Sequence, residues 1–116
     1  LGVALAVVTG RAVLDPAQGS EQAGRRPVLI ISADVVNVLN TVTVLPLTSL
    51  KSPNRKIRAN EVLLAKQVTG LDRASIALGH QIRTVDKLRL ESVAGEIKDE
   101  QTRHLVREAV KVQLAL

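Results

Sequence analysis

Arg26-Pro27-Val28-Leu29-Ile30-Ile31-Ser32 is the stretch on which the fold turns. Pro27 to Ile31 is an unbroken apolar run of strand length, with proline at its first position, where no ladder donor is lost. Such a run suits a central strand buried on both faces. Upstream, Asp15–Pro27 is rich in Gly, Pro and polar side chains and reads as a long exposed loop. Before it, Leu5–Leu14 is apolar enough for a strand, interrupted by Gly10. Downstream, Thr41-Val42-Thr43-Val44-Leu45 alternates as a half-buried strand does, and Pro46 is expected to confine the next segment to an edge or a strand end. Glu61–Leu64, Ala74–Leu78 and Gln81–Val85 are three further short strand candidates, set apart by Ser52-Pro53-Asn54, Thr69-Gly70 and Gly79-His80.

From Asp99 the period changes. Leu105, Val106, Ala109, Val110 and Val112 follow helical spacing, with charged residues on the other face. Asp99 is placed to cap this helix and Glu100 to favour the positive end of its dipole. The expected fold is mainly β with a C-terminal α-helix: a strongly curved sheet or small barrel closed by the helix, one domain over residues 1–116.

Composition narrows the function. The 116 residues include no Phe, Trp, Tyr, Met or Cys, yet 46% are hydrophobic, so the core is aliphatic. Without Cys there is no disulfide framework, thiolate nucleophile or Cys-ligated metal; His80 and His104 are the only imidazoles, and no metal or cofactor is expected. Without aromatics no stacking platform for unpaired bases exists. The net charge is +5, and the surplus lies in residues 1–60, which hold seven bases and three acids. There Arg25–Arg26 and the run Lys51, Arg55, Lys56, Arg58 offer a phosphate-attracting surface, unless they are ordinary solvated charge. The apolar opening Leu1–Val8 is too short for a bilayer span and lacks a basic n-region, so the expectation is a cytoplasmic protein without membrane contact.

Three blocks carry the functional signal: Gly19-Ser20-Glu21-Gln22-Ala23-Gly24-Arg25-Arg26-Pro27 running into Val28–Ser32; Pro46-Leu47-Thr48-Ser49; and Gln81-Ile82-Arg83-Thr84-Val85-Asp86-Lys87. In this order and at these separations they resemble the MazF/PemK family of toxin endoribonucleases. The resemblance runs from about Asp15 to the C-terminal helix. It implies a small SH3-like barrel, shared with CcdB-type gyrase poisons, working as a homodimer. Single-stranded RNA would lie in a groove across the interface, and a cognate MazE-like antitoxin peptide would cover it.

Cutting RNA without a metal requires the ribose 2′-hydroxyl to lose a proton, the phosphorane charge to be neutralised and the leaving 5′-oxygen to gain a proton. An arginine, a hydroxyl donor and one titratable group suffice. Arg26 suits the charge, because its planar fork matches phosphate oxygens; Thr48 can donate to the same phosphate. The resemblance makes these two the catalytic pair. Read alone, Arg26 equally fits a surface salt bridge and Thr48 a turn cap.

By the same resemblance Glu21 assists acid–base chemistry and Ser20 helps bind RNA, although Glu21 could instead pair with Arg25 within a hydrogen-bonded loop. Gln81 corresponds to a substrate-contacting glutamine, and Ser75 to a serine near the RNA. Arg25 belongs to the basic surface beside them. Arg83 is expected to pair with Asp86 or to position the sheet. His80 stands where relatives carry an acid, and serves either as an acid or base or as a turn residue after Gly79. His104 is expected on the surface.

The pattern also departs from the family. Ala6, Val7, Val8, Gly10 and Val13 occupy the places of an Arg-Gly-Asp turn, an aromatic and an acid, and Val36 that of an aromatic. The altered first strand keeps a non-cleaving alternative open: a CcdB-like gyrase poison or an inactive antitoxin-binding remnant on the same fold.

Overall fold

In a computed structural model the described residues fold as seven strands and two helices. The structure describes residues 7–15, 18, 19, 21 and 23–116; Leu1 to Ala6, Pro16, Ala17, Ser20 and Gln22 lie outside it. The opening segment and the first two residues of the expected Leu5–Leu14 strand therefore fall outside the described residues, as does Ser20.

The elements are β1 (Val8–Val13), β2 (Arg25–Ile30), β3 (Thr41–Ser49), β4 (Glu61–Leu64), α1 (Lys66–Thr69), β5 (Ser75–Leu78), β6 (Arg83–Asp86), β7 (Leu90–Glu96) and α2 (Glu100–Leu114). All pairings are antiparallel, in the order β4-β5-β3-β2-β1-β7, with β6 also on β3. This is the curled sheet with a C-terminal helix that the sequence implied.

Side chains alternate across β2 and β3 and divide the core in two. On one face Leu29, Ile31, Leu45 and Leu47 pack with Val106 and Ala109 of α2. On the other, Val28, Ile30, Val42 and Val44 pack with Ala12, Leu14 and Val85. The apolar run of β2 is thus buried on both sides, as its lack of alternation demands. Each such Val, Leu or Ile contributes about 1.5–3 kcal/mol on burial.

Pro46 does not end its strand. β3 continues through it to Ser49, pairing first with β6 (Thr41 to Val44) and then with β5 (Leu47 to Ser49). The proline falls where one neighbour is exchanged for the other, so its missing N–H interrupts no ladder on that edge. Two other expectations are corrected in α2: Leu105 and Val112 are 43% and 55% exposed, while Thr102, Val106 and Ala109 form the buried stripe. Asp99 does cap the helix. Its carboxylate accepts from Thr102 Oγ1 (2.5 Å) and N (3.3 Å), and the bond from the Thr102 side chain leads the causes that hold it below the ordinary range.

Where relatives are expected to carry a first-strand aromatic, Gly10 lines a cavity of ≈ 170 Å³ with Thr9, Pro27, Leu47 and Leu71. A Cβ at Gly10 would meet Ser92 O of β7 at 3.0 Å and Ile30 Cδ1 at 3.6 Å. β7 approaches β1 closely here, and its register on β1 shifts on either side of Gly10 and Arg11. Val36, where an aromatic was also expected, is exposed in the loop after Ser32.

Candidate functional site

β2 begins and β3 ends at the same margin of the sheet, so Arg26 and Thr48 both lie toward that margin. The β2–β3 ladder pairs Ile30 with Val44 and Val28 with Pro46; continued two residues further, the register sets Arg26 across from Thr48. Both lie on the sheet face of Val28 and Val44, by alternation. Arg26 is half-buried, and its Nε donates to Ala23 O at 2.9 Å. That bond folds the guanidinium back over the preceding loop and leaves its two terminal nitrogens without a partner among the described residues. Thr48 is likewise half-buried, in register with Ile76 of β5.

The loop before Arg26 is built by glycine and backbone bonds. Gly24 (φ 74°) returns its carbonyl to Leu14 N (2.9 Å) and its N–H to Asp15 Oδ1 (3.0 Å), which closes the loop at its base. Nearer the tip, Gly19 (φ 57°) sits in a turn in which Gln18 N donates to Glu21 Oε1 at 2.6 Å and Glu21 N donates to Gln18 O at 3.1 Å. Only Gly takes such φ values at no steric cost. Glu21 is exposed and does not pair with Arg25; Arg25 reaches Glu91 of β7 instead, at 3.4 Å.

Ser75 opens β5 opposite Ser49, diagonal to Thr48, and is buried, its Oγ reaching only Arg73 O at 3.4 Å. Arg26, Thr48, Ser75 and Arg25 therefore share one sheet margin. His80 and Gln81 do not join them. They form a 3-10 turn, Gly79–Gln81, beyond the opposite end of β5, packed against β3 and α2. His80 is exposed, Gln81 half-buried, and His104 exposed on α2. Gly79 is required by close approach: its N donates to Asn60 O at 2.9 Å, and a Cβ there would lie 2.1 Å from that oxygen. Among the described residues no three His, Asp or Glu side chains converge as a metal site would need, and no helix is long and apolar enough to cross a membrane.

Residues 11–114 match the PemK-like, MazF-like toxin of type II toxin–antitoxin systems. The chain belongs to this family. It is 36% identical over 103 residues to endoribonuclease EndoA of Bacillus subtilis, covering 89% of this chain and 87% of that protein. It superposes on the Mycobacterium tuberculosis toxin MazF-mt6 with a TM-score of 0.74 at 27% identity, covering 94% of this chain and 97% of the other. The MazE–MazF structure from Deinococcus radiodurans gives a TM-score of 0.65 at 26% identity, over 98% and 96% of the two chains.

In this MazF-like toxin one member of the basic run of residues 51–58, Arg55, is drawn into the fold, whereas Lys51, Lys56 and Arg58 stay exposed. Arg55 grips Glu61 at the start of β4 through two bonds, Nη1 to Oε1 (2.6 Å) and Nη2 to Oε2 (2.8 Å), and Arg58 N donates to Oε1 at 2.9 Å. The side chain of Glu61 is fully buried, and these partners, Arg55 foremost, hold its carboxyl at about 2 against the opposing effect of burial. An acid opening an apolar strand a few residues after an arginine was the readable signal. Of the two readings of Arg83, the pair with Asp86 is not formed: Asp86 accepts from Leu88 N (2.8 Å), and Arg83, on β6 opposite Val44, has its Nη1 buried without a hydrogen-bond partner among the described residues.

Proposed function

We propose that this MazF-like endoribonuclease toxin cuts single-stranded RNA without a metal, through Arg26, Thr48 and Glu21. Arg26 binds the scissile phosphate with its two terminal nitrogens and neutralises the charge that builds on the phosphorane oxygens. Thr48 donates its hydroxyl to the same phosphate from across the ladder. Glu21 takes the proton of the 2′-hydroxyl as the O2′–P bond forms, and returns it to the 5′-oxygen as the P–O5′ bond breaks, which leaves a cyclic phosphate and a 5′-hydroxyl. Ser75, Arg25 and Ser20 contact the strand beside the cut, and Gln81 reads a base edge further along it. Glu21 takes the acid–base role rather than His80 because its loop runs directly into Arg26 and is tied to it by the Nε bond to Ala23 O.

The observation that supports this reading is the β2–β3 register: continued beyond its last pair, Val28 with Pro46, it runs toward Arg26 and Thr48 at an open strand margin. The activity is that of the toxin half of a pair. A MazE-like antitoxin peptide lying over the same margin silences it, and two copies of the chain form the RNA groove.

The test is digestion of a long mixed-sequence RNA in EDTA with the cuts mapped. Discrete cleavage sites that vanish in Arg26→Ala and Thr48→Ala support the assignment. Undiminished cutting by both variants refutes these residues, and no cutting by the parent that still binds its antitoxin points to the non-cleaving alternative.

A further inference from the structure

Beside the proposed catalytic pair lies a cleft of ≈ 220 Å³ that the cleavage chemistry leaves largely unused. Its walls come from Arg11 of β1, Pro27 of β2, Ser49 of β3, Ser75 of β5 and the turn carrying Asp72 and Arg73. We infer that Arg11 and Arg73 hold a backbone phosphate of the RNA next to the cleaved linkage. The inference rests on the RNA-cleaving reading above and extends it to substrate binding.

Position comes first. Pro27 follows Arg26 and Ser49 follows Thr48, so the cleft begins one residue step, about 3.3 Å along each strand, from the catalytic pair. By alternation it lies on the other sheet face, the face of Leu29 and Leu47. An RNA strand crossing this margin passes from one face to the other, and adjacent phosphates meet the two sites in turn.

Chemistry comes second. Among the described residues neither Arg11 nor Arg73 makes an ion pair, whereas Arg55, Arg103 and Arg107 each hold a carboxylate closely, at 2.6, 2.5 and 2.7 Å. Two arginines lining one cleft repel each other until an anion lies between them. Asp72, the acid on the cleft wall, is exposed and offsets a single charge. The hydroxyl of Ser75, with its single long contact to Arg73 O (3.4 Å), is a further donor on the floor. Size agrees: the cleft is smaller than the roughly 300 Å³ at which pockets begin to engulf a small molecule, so it suits one unit of a polymer lying across it.

The test uses the oligoribonucleotide spanning a cleavage site mapped for the parent, and the same strand with a 2′-deoxyribose at the cleaved nucleotide, which binds but cannot be cut. Parent, Arg11→Gln, Arg73→Gln and the double variant are compared. Each substitution is expected to weaken binding of the uncuttable strand about ten-fold, and to lower the slope of log affinity against log salt by about 0.7. On the cleavable strand KM rises while kcat at saturation is unchanged. A double variant with the parent's affinity and salt slope, or one that loses kcat alone, overturns this inference and leaves the cleavage reading standing. A parent that binds no RNA overturns that reading and this inference with it.

Discussion

The loop of residues 15–24 and the loop of residues 50–60 each deliver the chain into a strand, and each lies beside arginines from the basic half of the sequence. They dispose of that charge differently. In the second loop Arg55 is held by the buried carboxylate of Glu61, with Arg58 N–H on the same oxygen. The ion pair serves to fix the chain into β4, and Arg55 is withdrawn from any ligand. In the first loop the side-chain tie on Arg26 among the described residues is its Nε bond to a backbone carbonyl, which aims the guanidinium and leaves its outer nitrogens open to a ligand. A count of lysines and arginines therefore overstates the charge available to RNA. What matters is which cations find a carboxylate within the fold.

The sharpest way to break this comparison is to remove one arginine from each side. Arg26→Ala should slow RNA cleavage by about 10²–10³-fold, the loss typical of a missing transition-state donor, with the urea midpoint unmoved. If stability falls and the rate per folded molecule holds, Arg26 belongs to the structural class with Arg55.

Next in size is the Glu61 lock, read through pH. Its carboxyl titrates at about 2 in the folded state against an ordinary 4.5. A lowered pKa stabilises the fold fully above the unfolded value, and the contribution fades as pH falls from about 4.5 through about 2. For this buried group the span corresponds to about 3 kcal/mol. Denaturant unfolding at stepped pH should show that loss in the parent and a flatter profile in Glu61→Gln, which is also the less stable of the two at pH 7. Parallel profiles would mean the pair contributes no net stability.

Smaller again is Gly79→Ala. The new methyl meets Asn60 O and should cost about 1–3 kcal/mol, as overpacking does, measured by thermal unfolding. The smallest effect belongs to His80→Ala, exposed and at the far end of β5: stability within about 0.5 kcal/mol of the parent and unchanged cleavage. A large loss of rate in this variant, with the fold intact, would move the acid–base role from Glu21 to His80.

Much of the fold was legible because it was local. The apolar run of β2, the bounds of β4 and the Asp99 cap each depend on a few adjacent residues. β7 was not legible: Leu90–Glu96 carries Glu91, Ser92 and Gly95 with no clean alternation, and it becomes a strand by pairing with β1. The run of β3 past Pro46 was hidden for the same reason, since only the exchange of β6 for β5 makes a proline tolerable there.

The candidate site divides along the same line. Arg26 and Thr48 were readable through the family blocks, but their place at one margin depends on a β2–β3 register that no local pattern encodes. Arg11 and Arg73 carried no signal, because the cleft between them is assembled from four strands and a turn.

The central claim is that Arg26 and Thr48, at the margin toward which the β2–β3 ladder runs, act on one phosphate. A double-mutant cycle on the cleavage rate tests it most directly. With Arg26→Ala, Thr48→Ala and the double variant assayed on one mapped cleavage site, the double variant should be little slower than Arg26→Ala alone, because groups that act as a unit lose their effect together. Losses that multiply in full, or a Thr48→Ala rate equal to the parent's, would contradict it.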